Sequence, residues 1–164
     1  MLQIITGRGK GKTSSAVGSA VRAAGHGKKV VFAQFLKDGT SGEIAVLKNV
    51  PGVTVIVPPV HYGFTFQMTE AQLAETAAAY GEMLERIAGE EAFLIVLDEV
   101  LHALNAGLIT REQLEKVLDK QCEIILTGYD PPEYLAERAD YISDVQKVKH
   151  PYDKGIAARE AIEF

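Results

Sequence analysis

The sequence has few of the features that mark secreted and membrane proteins. It contains a single cysteine, Cys122, so no disulfide can form within the chain. A lone thiol is typical of a reducing compartment. No apolar run approaches the ~20 residues of a membrane-spanning helix, and the opening residues, MLQII, lack the basic segment of a signal peptide. We therefore expect a cytoplasmic protein with no membrane partner.

Positive charge is also scarce. The chain has 17 lysines and arginines against 22 aspartates and glutamates, which gives a net charge of -5. Nucleic-acid-binding domains usually carry an excess of basic residues, so we expect no nucleic-acid partner. Hydrophobic residues make up 47% of the 164 residues, which is enough for one full core. We predict a single domain spanning residues 1–164.

Apolar, β-rich runs alternate with helical patterns along the chain. Strands are predicted within residues 2–5, 29–36, 53–57, 93–99, 122–128 and 141–148. Several of these runs are apolar throughout, which is typical of parallel strands covered on both faces. The alternation predicts an α/β protein with a mostly parallel sheet between two layers of helices.

The helical patterns have recognisable starts and faces. Thr69 and Thr110 each stand three residues before a glutamine, and these capping boxes predict two helix starts. Residues 37–68 are predicted to be irregular apart from one strand, and loops of that length are usually functional. The first predicted helix, within residues 11–25, collects apolar side chains on one face: Ala16, Val17, Ala20, Val21 and Ala24.

The segment ITGRGKGKTSS, residues 5–15, lies between the first predicted strand and the first predicted helix. Its GKGKT end is typical of a P-loop, in which backbone N–H groups surround phosphate, Lys12 reaches the terminal phosphates and the Thr13 hydroxyl ligates Mg²⁺. Thr6 stands where the motif usually has its first glycine. The alternative is a surface turn rich in glycine and lysine. The predicted nucleotide-binding residues are Thr6, Gly7, Arg8, Gly9, Lys10, Gly11, Lys12, Thr13 and Ser14.

A second motif, FLIVLDE, ends the strand predicted within residues 93–99. It delivers Asp98 and Glu99 at the carboxyl end of a buried strand, as a Walker B element does. We predict that Thr13, Asp98 and Glu99 hold Mg²⁺ or Mn²⁺. The alternative is that the two carboxylates only begin a polar loop. Together the motifs predict a three-layer P-loop NTPase fold of RecA-like type that binds ATP with its metal.

Further motifs connect the chain to one family. They follow in order over nearly the whole chain: TGRGKGKTSSAVGSAVRAAGHGKKV, QFLKDG, HYGFTF, VLDEVLHAL, ILTG and VKHPYDKGIAAREAIEF. In these motifs the chain resembles the ATP:corrinoid adenosyltransferases of the P-loop type. The resemblance implies transfer of the 5′-deoxyadenosyl group of ATP to the Co(I) of a corrinoid, with release of triphosphate, in adenosylcobalamin biosynthesis or salvage.

The resemblance also implies roles for individual residues. Lys10 and Lys12 would stabilise the triphosphate as it leaves. Phe64 and Phe66 would pack below the corrin ring and displace its lower axial ligand, which makes reduction to Co(I) easier. Without the resemblance, HYGFTF is better explained as a loop packed against its own core. The implied corrinoid contacts are Gln34, Lys37, Glu43, Phe64 and Phe66.

Some positions depart from the family pattern. Phe66 stands where several relatives have tryptophan, a residue that this chain lacks altogether. Tyr129 follows ILTG where relatives often carry arginine. Relatives also commonly have an extension before the first strand, so we expect a more open site. The resemblance further implies a homodimer and an electron-donating flavoprotein reductase.

Two other functions are compatible with part of the sequence. A generic P-loop ATPase or small-molecule kinase needs only the glycine-rich segment, Asp98 and Glu99, but it leaves HYGFTF and VKHPYDKGIAAR unexplained. A non-catalytic corrinoid carrier, or a nucleotide-dependent regulator, would keep the pocket and lack turnover. The products formed from ATP separate the three functions.

Overall fold

The computed structural model describes residues 1–162, so Glu163 and Phe164 of the C-terminal motif lie outside the described residues. Six strands form one sheet: β1 (Leu2–Thr6), β2 (Val30–Gln34), β3 (Val53–Ile56), β4 (Leu94–Asp98), β5 (Glu123–Thr127) and β6 (Tyr141–Asp144). Their order across the sheet is β3-β2-β4-β5-β1-β6, and every pair is parallel. The predicted parallel sheet is confirmed.

Helices cover both faces of the sheet. They are α1 (Lys12–Gly25), α2 (Gly42–Leu47), α3 (Glu70–Gly89), α4 (Val100–Asn105), α5 (Arg111–Leu118) and α6 (Glu133–Arg138). Buried side chains of α1 and α2 pack on one face, and those of α3, α4, α5 and α6 pack on the other. The predicted three-layer α/β architecture is therefore confirmed, and it is consistent with a P-loop NTPase-like fold.

Strand β4 illustrates why apolar runs identify these strands. All five of its residues are buried. Ile95 and Leu97 face the larger core, whereas Leu94 and Val96 face the core beneath α1, because successive side chains of a strand point to opposite faces. Its last residue, Asp98, carries a charge into this apolar setting at the carboxyl end of the strand.

The helix predictions hold where a pattern covers several turns. Both capping boxes are present, with Thr69 and Thr110 accepting from the backbone N–H three residues later. The prediction for Val21 is wrong. It was expected on the apolar face of α1, but it is 46% exposed. The irregular stretch predicted for residues 37–68 is also wrong in part. It contains α2 and a 3₁₀ turn at Thr65–Gln67.

Three helices were missed for the same reason. Each of α2, α4 and α6 has six residues, fewer than two turns, so an apolar pair cannot establish a helical period. In α2, only Ile44 and Leu47 reach the core.

The strand order brings distant motifs together. Strand β5 lies between β1, which leads into the glycine-rich loop, and β4, which delivers Asp98. Because parallel strands end at the same edge of a sheet, the loop, Asp98 and the residues after β2 meet there. This edge is where ligands bind in open α/β sheets.

The glycine-rich loop (residues 6–14) is held in place by the chain after β6. Val145 N–H donates to Thr6 O at 2.8 Å, and Gly9 N–H donates to Val145 O at 2.6 Å. A Cβ on Gly7 or Gly9 would lie 2.2–2.8 Å from atoms of residues 144–146, closer than atoms can pack. Gly7 also has a φ of +105°, which favours glycine. The two glycines therefore permit close approach of a neighbouring segment.

We expect Gly9→Ala to destabilise the fold by about 1–3 kcal/mol, the usual range for overpacking. The added methyl would meet two backbone carbonyls that cannot move independently. Urea unfolding measures the loss. The matched control is Gly18→Ala within α1, where nothing lies within 4 Å and alanine is expected to stabilise the helix. Equal stability of the two variants would contradict this account of the loop.

Candidate active site

A cleft of about 640 Å³ lies along the glycine-rich loop. Residues 9–14 form one side, and Lys37, Glu43 and Glu99 contribute from the ends of neighbouring elements. The amino end of α1 begins inside this loop, so its unpaired N–H groups and positive helix end favour an anion. The cleft therefore has the charge and the backbone donors that a polyphosphate needs.

Two lysines of the loop reach into this cleft. Lys12 Nζ donates to Gly9 O at 3.1 Å, which folds the side chain back over the loop. Lys10 is exposed, and its Nζ donates to Ile162 O at 2.6 Å. Gly11 has a φ of +127°, a conformation open to glycine that turns the chain into α1. Among residues 1–162 both ammonium groups are bound only by backbone carbonyls, which phosphate oxygens can replace.

The first part of the loop faces a different cleft. Thr6, Gly7 and Arg8 line about 560 Å³ together with Tyr129 and Asp130. Arg8 pairs with Asp130 at 3.2 Å and lies over the Tyr129 ring, 5.3 Å from its centroid. The predicted nucleotide-binding residues are thus divided between two sides of the loop, and residues 9–14 share their cleft with Glu99, one of the predicted metal ligands.

Asp98 is the centre of the polar network behind this cleft. It is fully buried, and four side chains donate to its carboxylate. Thr13 and Thr127 hydroxyls reach Oδ1 at 2.9 and 2.7 Å. Gln34 Nε2 and Lys37 Nζ reach Oδ2 at 3.3 and 3.0 Å. A buried carboxylate requires such partners, because leaving one unpaired is costly.

Thr127 was not identified from the sequence. It ends β5, is fully buried, and accepts from Glu99 N–H at 2.8 Å while donating to Asp98. The threonine of ILTG, placed where a strand meets a glycine, was the available signal. The strand between β1 and β4 thus supplies the hydroxyl that aligns both acidic residues.

Glu99 has an unusual backbone and an unusual charge environment. Its φ of 63° is rare for a residue other than glycine, and such conformations concentrate at functional sites. His102 Nδ1–H donates to its carboxylate. Burial alone would raise the pKa of Glu99, but the hydrogen bond from His102 and the positive charges of His102, Lys37 and Lys12 hold that pKa below its ordinary value. Glu99 is therefore held as an anion at the cleft wall.

The predicted metal ligands form a set of hard oxygen donors. Thr13 Oγ1 and Asp98 Oδ1 are 2.9 Å apart, and the Lys37 ammonium contacts both residues. Within residues 1–162 no group of three or more His, Cys, Asp or Glu side chains surrounds a metal position. Mg²⁺ does not need one, since it binds through one or two protein oxygens plus waters and phosphates. The donors present fit Mg²⁺ in company with a nucleotide.

Three of the implied corrinoid contacts lie at or behind this cleft. Gln34 is fully buried, and its side chain donates to Asp98. Lys37 is turned toward Asp98 and Thr13, and Glu43 lines the same cleft. Gln34 and Lys37 therefore both contact Asp98, although the resemblance implied that they contact the corrinoid.

Comparison with known proteins matches the whole chain to one family. Residues 1–164 fit the family model described as ATP:corrinoid adenosyltransferase BtuR/CobO/CobP. The chain belongs to this family. It is 35% identical to the corrinoid adenosyltransferase of Pseudomonas aeruginosa over 100% of this chain and 83% of the relative. It is 32% identical to the corrinoid adenosyltransferase of Escherichia coli and to corrinoid adenosyltransferase CobA of Salmonella typhimurium, each over 98% of this chain and 84% of the relative.

In this member of the corrinoid adenosyltransferase family, the HYGFTF segment (residues 61–66), here called the aromatic loop, directs its phenylalanines outward. Phe64 and Phe66 are 68% and 80% exposed, and their rings stack with centroids 5.4 Å apart and planes at 17°. The alternative in which these side chains pack on their own core is therefore wrong.

Among residues 1–162 no helix has the length and apolar character needed to cross a membrane.

We expect Thr127→Val to weaken this adenosyltransferase in two ways. Loss of the hydroxyl leaves the Glu99 N–H without its partner and leaves Asp98 Oδ1 with the Thr13 hydroxyl alone, which should lower stability by about 1–3 kcal/mol. The Mg²⁺ concentration for half-maximal activity should also rise. The control is Thr54→Val in β3, whose hydroxyl makes no hydrogen bond among the described residues. If both variants keep the same metal dependence, Thr127 does not align Asp98.

Proposed function

We propose that this protein transfers the 5′-deoxyadenosyl group of ATP to the Co(I) of a corrinoid and releases triphosphate. The observation that carries the proposal is the exposed, stacked Phe64–Phe66 pair in a chain that also has a cationic, N–H-rich cleft. An ATPase or kinase needs only the cleft. Two exposed, stacked aromatic rings offer an apolar contact that suits a flat macrocycle, and membership of the family supports this substrate.

In this reaction the whole triphosphate is the leaving group. Co(I) attacks C5′ of the ribose, the Co–C bond forms from the electron pair of cobalt, and the C5′–O bond breaks with its electrons on the triphosphate. Negative charge therefore develops beside the loop. Lys12, Lys10 and the N–H groups at the start of α1 are placed to stabilise it.

The metal position adds to this stabilisation. Thr13 and Asp98 would hold Mg²⁺ or Mn²⁺, which when bound neutralises charge on the departing triphosphate. Thr127 and Gln34 orient the Asp98 carboxylate. Glu99, held by His102, is suited to a metal-bound water or a nucleotide hydroxyl. The reaction needs no general base, because cobalt supplies the electron pair, and this agrees with a Glu99 already engaged by a histidine.

The aromatic loop would contact the second substrate, the corrinoid. Phe64 and Phe66 would lie against the lower face of the corrin ring and exclude its axial base. Loss of that donor makes Co(II) easier to reduce. We also propose Lys37 and Glu43, which border the cleft, as residues near the substrates, and a homodimer in the cytoplasm served by a flavoprotein reductase. Family resemblance supports these last assignments.

Product analysis tests the proposed function. The protein is incubated with ATP, Mg²⁺ and cobalamin that has been reduced chemically to Co(I), and the products are separated by chromatography. We expect triphosphate and a light-sensitive adenosyl–cobalt compound in equal amounts. ADP with free phosphate would instead indicate an ATPase, ADP with a phosphorylated acceptor a kinase, and binding of both ligands without any product a carrier or a regulator.

A further inference from the structure

Lys37 lies where a cation between the predicted metal ligands would lie. Its Nζ is 3.0 Å from Asp98 Oδ2 and 3.3 Å from Thr13 Oγ1. The side chain is 31% exposed, whereas Asp98 is fully buried. The ammonium group therefore reaches from the cleft into the position between a hydroxyl and a carboxylate that the proposed magnesium ion would share.

The backbone before Lys37 is built to aim it there. Phe35 N–H donates to Asp98 O at 2.9 Å, which joins the end of β2 to the end of β4. Leu36 then adopts a φ of 54°, a conformation that is a clear outlier for a bulky residue. Its N–H donates to the buried Tyr80 hydroxyl at 2.7 Å, which holds the strained turn. The direction of Lys37 is thus fixed by two tertiary hydrogen bonds.

Lys37 is also the only ammonium bonded to Asp98 among the described residues. The other two lysines of the cleft donate to backbone carbonyls instead, Lys12 to Gly9 O and Lys10 to Ile162 O. Without a metal, Lys37 supplies the positive charge that a buried carboxylate requires. A divalent cation at the same two oxygens would repel it strongly at this short range. The two cations therefore exclude each other.

We propose that Lys37 is a place-holding cation, which neutralises Asp98 while no metal is bound and is displaced when the metal arrives with the nucleotide. This inference rests on the proposed function, because it assumes that Thr13 and Asp98 hold the metal. Once displaced, the ammonium remains in the phosphate cleft, where the triphosphate offers it new partners. A metal ion that binds without ATP displaces Lys37 but brings no phosphate oxygens to pair with its ammonium group. The protein should therefore take up metal together with ATP and bind it poorly alone.

Mn²⁺ binding to the nucleotide-free protein tests the proposal. Free Mn²⁺ is measured by electron paramagnetic resonance during titration of the wild type, Lys37→Met and Lys48→Met. Methionine keeps the length of lysine without its charge, and the exposed Lys48 controls for the loss of one positive charge. We expect Lys37→Met to bind Mn²⁺ at least about tenfold more tightly than the other two, because no ammonium competes for Asp98.

Thermal unfolding gives a second readout that does not depend on activity. In EDTA, Lys37→Met should melt below the wild type, because its buried carboxylate has lost its counter-charge. Mn²⁺ alone should raise the melting temperature of the variant and leave that of the wild type almost unchanged. A variant whose melting temperature stays low in Mn²⁺, or whose Mn²⁺ affinity equals that of the wild type, would overturn the place-holding role.

A third variant separates this proposal from the one on which it rests. Asp98→Asn should abolish most Mn²⁺ binding in the Lys37→Met background and, in the otherwise wild-type chain, should weaken binding of the Mn²⁺–ATP complex to the protein, measured by calorimetry. If Asp98→Asn has that effect with ATP while Lys37→Met changes nothing, only the place-holding role is wrong. If Asp98→Asn leaves Mn²⁺–ATP binding intact, the proposed metal position itself is wrong.

Discussion

Replacement of Lys12 by alanine is expected to remove most ATP affinity and to lower turnover at least about 100-fold, the usual loss when one preorganised donor is removed from a developing anion. Lys12 lines the cleft along the glycine-rich loop, and its only hydrogen bond within residues 1–162 is to Gly9 O of the same loop. The ammonium therefore contributes little to the stability of the free protein. Calorimetry with ATP and single-turnover assays with Co(I) measure the two losses.

The controls for Lys12→Ala address charge and folding. Lys48→Ala removes one exposed ammonium from the end of α2 and should leave ATP affinity unchanged. The melting temperature of Lys12→Ala should stay close to that of the wild type. Undiminished ATP binding by a folded Lys12→Ala protein would show that the nucleotide is held elsewhere.

Phe66→Ala is expected to abolish activity in one assay and to spare it in another. Activity should be lost when the reaction starts from Co(II)alamin with a mild biological reductant. Without the Phe66 ring, the axial base returns to cobalt and makes its reduction harder. When Co(I) is made beforehand with a strong reductant, the loss should be much smaller. ATP affinity should not change, since the phosphate cleft is formed by other elements.

Because the Phe66 ring is exposed, the Phe66→Ala variant tests its contact with the corrinoid without a loss of stability. Phe66 is 80% exposed, so its truncation removes little buried surface and should not lower the melting temperature. Phe93→Ala, at the amino end of β4, is the aromatic control and should leave both assays unchanged. Equal losses by Phe66→Ala in the two assays would remove the cobalt role from this loop.

The sequence predicted best what a single local pattern encodes. Five strands were found because each is a short, largely apolar run, and the exposed β6 was found from the run YISDVQKV; α3 and α5 were found because a threonine and a glutamine mark their starts. The pairing of the loop with Asp98 was also predictable, since strands of a parallel sheet end at one edge. The Thr13–Asp98 hydrogen bond bears out that juxtaposition.

The remaining features depend on tertiary contacts that no local pattern shows. Thr127 is one threonine among many until β5 is known to lie between β1 and β4. Lys37 turns inward only because Leu36 adopts a positive φ, which its sequence does not favour. Gln34 was expected at a substrate because β2 ends there, yet the same position buries it against Asp98. Spacing locates such residues along the chain but does not determine which way they face.

Attachment of the glycine-rich loop to the segment after β6 also links ligand binding to the order in which the chain folds. Val145 closes the loop through Thr6 and Gly9, yet it follows β6, which is one of the two edge strands and the last strand of the described chain. The loop cannot reach its binding geometry until that strand has docked. Fraying of this edge, the least protected part of a sheet, would open the loop without global unfolding. A bound polyphosphate would in turn suppress that local opening. Ligand binding by the glycine-rich loop therefore depends on the docking of β6, which is far from the loop in the sequence.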